Sequence, residues 1–246
     1  MQNLIVAAAQ IPSLKGDVAR NTKTHGDAIR RASENSVSLI VFPELSLTGY
    51  EPELAQDLAF SIDDERLRPL QKLAGQFNMY IVVGAPLKSD GLPKISAIVL
   101  SPDGNISSYS KINLHPGEEE YFQGGRDLKV VEICNHKIGI AVCADINNPM
   151  HIKEYAKLGV SVYVAGVLIS EHGYTAETKK LADYAKRHNM LVSMANHNQL
   201  TGGWQPSGKS AAWCGKGGSA IAGIDKSSLV VSKFVKNQWV SKVVEL

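Results

Sequence analysis

Three ionisable side chains in this sequence each stand at the end of an expected strand. Cys143 ends the stretch Lys137-Ile138-Gly139-Ile140-Ala141-Val142 and is followed by Ala144-Asp145. Glu44 stands in Phe42-Pro43-Glu44-Leu45-Ser46-Leu47-Thr48-Gly49-Tyr50, and Lys111 in Tyr109-Ser110-Lys111-Ile112-Asn113-Leu114. Taken singly, each has an ordinary explanation. A cysteine in a strand is commonly a small buried hydrophobe. A glutamate after proline reads as a surface acid, and a lysine at a strand end as a solvated cation. Taken together they are the residue types of a nucleophile, a proton shuttle and a positive charge for a developing oxyanion. The thiolate is the reactive form of cysteine, and a neighbouring cation favours it. One carboxylate can act first as base and then as acid if burial raises its pKa toward neutrality.

The elements around these residues alternate. Short apolar runs at residues 4–9, 38–42, 80–85, 160–165 and 190–195 read as strands. Residues 17–35, 65–78, 150–158 and 175–187 read as helices; in 65–78 the apolar positions Leu67, Leu70, Leu73, Ala74 and Phe77 form a helical stripe. Asn148-Pro149 offers an N-cap with proline at the first helical position. Residues 95–101 and 104–111 form a hairpin around Pro102-Asp103-Gly104, and 128–134 with 137–143 a second across Asn135-His136. Short strands are expected near 220–224, 229–234 and 239–244. Glycines 202, 203, 208, 215, 217 and 218, with Gly223 just after the next strand, make 200–218 a glycine-rich loop, and Trp204 and Trp213 inside it argue that it is ordered near a site. The pattern predicts a layered α/β protein with sheets that are not purely parallel.

Bulk properties narrow the function. A chain of 246 residues fits one large domain. Hydrophobic residues at 44% and charged residues at 20% are ordinary for a globular protein. The net charge of +2, with no run of like charges, gives no reason to expect nucleic acid as a partner. Nor does any apolar stretch reach the roughly 18 residues of a membrane span. Met1–Val6 lacks a signal-peptide pattern. Cys134, Cys143 and Cys214 are an odd count without a Cys-x-x-Cys pair, which argues for a reducing, cytoplasmic setting. The seven histidines show no metal-ligand spacing, so no metal or other cofactor is expected. His115 and His197 stand in segments next to the motifs but read as ordinary polar surface residues, and Cys134 and Cys214 as structural. Asp145 is placed to anchor the turn after Cys143 through backbone amides.

Over nearly its whole length the sequence resembles the nitrilase, or carbon–nitrogen hydrolase, superfamily, from Ala7-Ala8-Ala9-Gln10 to Gly217-Gly218-Ser219-Ala220. The Phe-Pro-Glu, Lys-x-x-Leu and Cys-x-Asp motifs fall at Glu44, Lys111 and Cys143, separated by 67 and 32 residues. The resemblance implies a four-layer αββα sandwich of two mixed β-sheets flanked by helices, forming one domain over residues 1–246, and a homodimer or higher homo-oligomer. It implies a Glu–Lys–Cys triad: Cys143 attacks, Glu44 shuttles the proton, and Lys111 with the backbone N–H of Ala144 holds the oxyanion. A further glutamate of a Glu-x-x-Tyr-Phe context maps by spacing onto Glu118 rather than Glu119 or Glu120, to hold Lys111 or the attacking water. Tyr50 and Asn196 are implied as pocket residues. Specificity is expected from residues 47–52, 146–151, 168–174 and 196–204, with Val167-Leu168-Ile169 as an apolar wall and His172, Tyr174 and the tryptophans as polar tips. The implied substrate is a small amide, ureido or nitrile compound, amide-type chemistry being preferred. Two alternatives stay open: a Cys–His enzyme using one of the seven histidines, and a non-catalytic binding module on the same scaffold.

Overall fold

The computed structural model describes residues 3–246; Met1 and Gln2, part of the segment read for a leader, lie outside the described residues. Two β-sheets carry the chain. The first runs β13-β12-β1-β2-β3-β4-β5 and the second β11-β10-β9-β8-β7-β6. In chain order the first-sheet strands are β1 (Ile5–Gln10), β2 (Leu39–Val41), β3 (Tyr80–Leu87), β4 (Lys94–Leu100) and β5 (Ile106–Ser110). The second sheet follows with β6 (Val130–Ile133), β7 (His136–Val142), β8 (Val162–Val167), β9 (Leu191–Asn196), β10 (Ala211–Cys214) and β11 (Ser219–Ile221), before β12 (Ser228–Val235) and β13 (Gln238–Glu245) return to the first. Each sheet has three parallel strands at its centre, β1-β2-β3 and β7-β8-β9, with antiparallel partners outside them. The helices are α1 (Val18–Glu34), α2 (Ala55–Leu58), α3 (Arg68–Phe77), α4 (Pro149–Lys157) and α5 (Glu171–His188).

The alternation of side chains along each strand builds three apolar layers. On β1, Val6 and Ala8 point between the sheets, while Ala7 and Ala9 pack outward with Ile29 and Ala32 of α1 and Leu70 and Ala74 of α3. On β7, Ile138, Ile140 and Val142 share the inter-sheet layer, and Ala141 faces the outer layer that contains Ile152 of α4 and Leu181 of α5. The architecture is therefore helix, sheet, sheet, helix: a mixed α/β sandwich. No described helix is long and apolar enough to cross a membrane.

Several boundaries differ from the sequence reading for local reasons. The second hairpin turns at Cys134-Asn135, both at positive φ (51° and 64°), so His136 opens β7 instead of sitting in the turn. Asn148 does cap α4, its side chain accepting from Met150 N at 3.0 Å. Helix α5 begins four residues before the expected start. The glycine-rich segment is not all loop: β10 crosses it, with Trp213 in that strand and mostly buried in the outer layer on the α5 side.

Candidate active site

The loop after β2 presents Glu44, the end of β5 presents Lys111, and the end of β7 presents Cys143. Both strand-to-loop transitions that carry an acid or a thiol are tightly bent: Leu45 has φ 50° and Cys143 φ 42°, unusual for residues with a Cβ. After Cys143 the chain enters a 3-10 turn, Cys143–Asn147. Asp145 reaches back to close it, its Oδ2 accepting from Val142 N at 3.0 Å. The same carboxylate accepts at Oδ1 from Ile112 N at 3.2 Å and from Asn113 N at 2.8 Å. It therefore ties the lysine segment to the cysteine turn, a wider role than anchoring one turn.

Lys111 is fully buried, and its Nζ donates to Glu44 Oε1 at 2.7 Å and to Glu118 Oε1 at 2.8 Å. Glu118 also accepts from Tyr50 OH at 2.8 Å and, at Oε2, from His115 N at 2.7 Å. Glu119 and Glu120 are exposed. Glu44 Oε2 is buried and has no hydrogen-bond partner among the described residues. The Cys143 thiol donates to Leu168 O at 3.6 Å. Glu44, Tyr50, Glu118, Cys143 and Ala144 line one cavity of about 110 Å³. Lys111 stands behind the two carboxylates rather than among the lining residues.

Burial governs the electrostatics. It lifts the Glu44 carboxyl to about 7, with Glu118 adding to the rise and Lys111 opposing it. It also pushes the Cys143 thiol well above its usual range, and the Glu44 charge adds to this while Lys111 works against it. Lys111 favours the thiolate, as expected of a neighbouring cation, but desolvation of the sulfur outweighs it. For Lys111, burial disfavours the ammonium, but Glu44 and Glu118, both bonded to it, hold it protonated.

Asn196 does not join this group. It is fully buried, its Oδ1 accepting from Ile169 N and its Nδ2 donating to Ile169 O, Ser207 Oγ and Gly208 O at 2.9–3.0 Å. It fastens the loops behind the cavity. Of the expected apolar wall only Leu168 reaches the cavity; Val167 and Ile169 belong to the outer core. His172 and Tyr174 are absent from the lining, and Trp204 is part of it. His115 is exposed at the cavity edge. His197, read as a surface residue, is fully buried and bonds through Nε2 to Glu44 O at 2.8 Å. Its partner is a carbonyl, so Nε2 is the protonated nitrogen. Burial holds its pKa down to about 4. A second relay also escaped the sequence: Tyr109 OH donates to Asp145 Oδ2 at 2.7 Å and pairs with His151 Nε2 at 2.8 Å, and His151 Nδ1 pairs with Tyr163 OH at 2.8 Å. Among the described residues no group of His, Cys, Asp and Glu is arranged to hold a metal ion.

The fold and site thus combine a two-sheet α/β sandwich with a thiol and a carboxylate–ammonium–carboxylate chain at one cavity. Residues 5–177 match the family model described as carbon-nitrogen hydrolase. The glutamine-dependent NAD(+) synthetase of Thermotoga maritima is 32% identical over 210 residues, which are 82% of this chain and 36% of that protein. A nitrilase of Pyrococcus abyssi is 31% identical over 140 residues, 54% of this chain and 53% of that protein. A cysteine-to-alanine mutant of the amidase from Nesterenkonia sp. AN1, in complex with butyramide, superposes with a TM-score of 0.85 at 21% identity, covering 95% of this chain and 92% of the other. The chain thus spans between about a third and a half of the length of these two curated relatives. It belongs to the carbon–nitrogen hydrolase family, within the nitrilase superfamily.

Proposed function

We propose that the protein hydrolyses a small non-peptide amide or N-carbamoyl C–N bond, releasing ammonia through a thioester on Cys143. The observation that carries this reading is the shared cavity of Cys143 and Glu44, in which Glu44 Oε1 is pinned by Lys111 while Oε2 has no partner among the described residues. Glu44 Oε2 takes the thiol proton as sulfur adds to the carbonyl carbon. The oxyanion so formed is stabilised by the Lys111 charge and by the Ala144 N–H. Glu44 returns the proton to the nitrogen, the C–N bond breaks and ammonia leaves. Water then attacks the thioester, Glu44 receiving its proton, and the acid departs as sulfur regains a hydrogen. A carboxyl near 7 can both accept and donate at neutral pH. Glu118, held by Tyr50 OH and His115 N, fixes Lys111 from the other side.

Ammonia release across a panel of short amides, ureido acids and nitriles tests this. Turnover of amides or ureido acids with an acyl adduct on Cys143 is the expected result; no ammonia from any member would overturn it. Nitrile hydrolysis on the same residues has the Pyrococcus relative in its favour, and the nitrile arm of the panel decides it. Assembly into a homodimer or larger homo-oligomer is part of the same proposal, and sedimentation velocity showing only monomer would remove it.

A further inference from the structure

The cavity carries a third carboxyl that the reaction does not use. Glu177 lies on α5, half-buried, and lines the same cavity as Cys143 together with Asn147, Ser170 and Trp204. Its side chain folds back over Gly173: a Cβ at that glycine would sit 2.8 Å from Glu177 Oε1. The missing side chain one turn earlier thus leaves room for the carboxyl at the cavity wall. Burial raises its pKa, with Lys180 and His115 opposing.

The rest of the lining makes the charge one-sided. Glu44, Glu118 and Glu177 line the cavity, and no lysine or arginine does. Lys111 is already bonded to Glu44 and Glu118. Lys180 is exposed and donates to Asn147 Oδ1 at 2.7 Å. Glu44 Oε2 adds a buried acceptor without a donor. A ligand ending in a carboxylate would lose its hydration beside like charge and find no lysine or arginine in the lining, only His115 at its edge. A ligand ending in an ammonium would exchange water for a carboxylate partner.

Resting on the amidase reading, we propose that the site selects short amides whose far end carries an ammonium group over those ending in a carboxylate, with Glu177 reading that end. The small cavity limits the spacer to a few carbons. The selection acts on binding, because the far end lies away from the reacting carbonyl, so it separates substrates through KM more than through kcat.

The test compares β-alaninamide, butyramide and succinamate, three amides of similar length ending in ammonium, methyl and carboxylate. The expected order of kcat/KM is β-alaninamide, butyramide, succinamate, with the outer two differing by roughly tenfold or more, the scale of one added or removed charge partner. Glu177→Gln should shrink the β-alaninamide-to-succinamate ratio by about the same factor, and Glu177→Lys should invert the order. Thermal melting of both variants checks that they fold. Succinamate turned over as well as β-alaninamide by the unaltered protein overturns the proposal. So does a ratio that Glu177→Gln and Glu177→Lys leave untouched. In both cases the amides are still hydrolysed, so the amidase reading survives. Absence of ammonia from all three amides overturns this inference; the reading it rests on falls with it only if the ureido acids and nitriles of the wider panel also give no ammonia and no acyl adduct on Cys143.

Discussion

At the scale of single residues the decisive fact is where the proton rests. Burial keeps the Cys143 thiol protonated and puts Glu44 near 7. The acid limb of kcat/KM against pH should therefore follow the coupled Glu44–Cys143 pair with an apparent midpoint near 7. Activity appears as pH rises and Glu44 becomes a base; a limb near the ordinary glutamate value would show that Glu44 is not the group being titrated. Cys143→Ala should abolish turnover and acyl-adduct formation while leaving the far-UV circular dichroism unchanged, since the two side chains are close in size. A spectrum that collapsed would make Cys143 a structural residue. Lys111→Ala has two consequences. It removes the charge beside the oxyanion, lowering kcat by roughly 100-fold or more. It also leaves Glu44 and Glu118 buried face to face, costing on the order of 3–5 kcal/mol. Urea melts together with kinetics separate the two, and near-normal turnover in a folded variant would take Lys111 out of the chemistry. Glu44, Lys111 and Cys143 could be read from the sequence because each stands at an expected strand end within a short motif: Phe-Pro-Glu, Lys-x-x-Leu and Cys-x-Asp. His197 could not, because its partner is a backbone carbonyl 153 positions away.

At the scale of elements, the loop that carries Glu44 is wedged between the sheets. A Cβ at Gly84 of β3 would lie 2.4 Å from Pro43 O and from Leu45 N, and one at Gly166 of β8 would lie 2.4 Å from Phe42 O. One glycine from each sheet thus lets backbone meet backbone on either side of the loop. Gly166→Ala has to displace that loop, since the clash is with main chain and not with a flexible side-chain tip. Overpacking of this kind costs about 1–3 kcal/mol, and a shift of Glu44 by a fraction of an ångström should lower kcat by roughly tenfold or more. A variant with normal kcat and normal melting temperature would show that the loop is not held from the β8 side. Helices α1, α3 and α4 and most strands were legible because their apolar periodicity faces a core layer. Strand β10 was hidden because the glycines around it mark turns, while its own Ala211-Ala212-Trp213-Cys214 has no polar alternation: all four residues are buried. The relay from Tyr163 through His151 and Tyr109 to Asp145 was hidden for a similar reason. It joins β8, α4, β5 and the turn after β7, and no local spacing records that.

At the scale of the whole molecule, the cavity exists only when both sheets are docked. Glu44 and Lys111 come from the first sheet and Cys143 from the second, and the apolar layer between them contains Val6, Val41, Val82, Ile140, Val164 and Leu191. The chain order strengthens this dependence. The first sheet takes its last two strands, β12 and β13, from the end of the chain, after the second sheet is complete, so the first sheet is not a contiguous segment and the second is inserted within it. Loss of activity and loss of secondary structure should therefore coincide in a urea titration, as expected for one cooperative unit. Leu191, fully buried in the middle layer at the start of β9, lines no part of the cavity. Leu191→Ala should destabilise the fold by about 2–5 kcal/mol through the lost apolar contact and the void it leaves, and it should shift the activity midpoint and the circular-dichroism midpoint by equal amounts. An activity midpoint that stayed in place while the dichroism midpoint moved would mean that the site persists without the docked sandwich. An activity transition preceding the dichroism transition in the unaltered protein would mean that the Glu44 or Cys143 loop opens on its own, and that the two sheets do not act as one unit in holding the site.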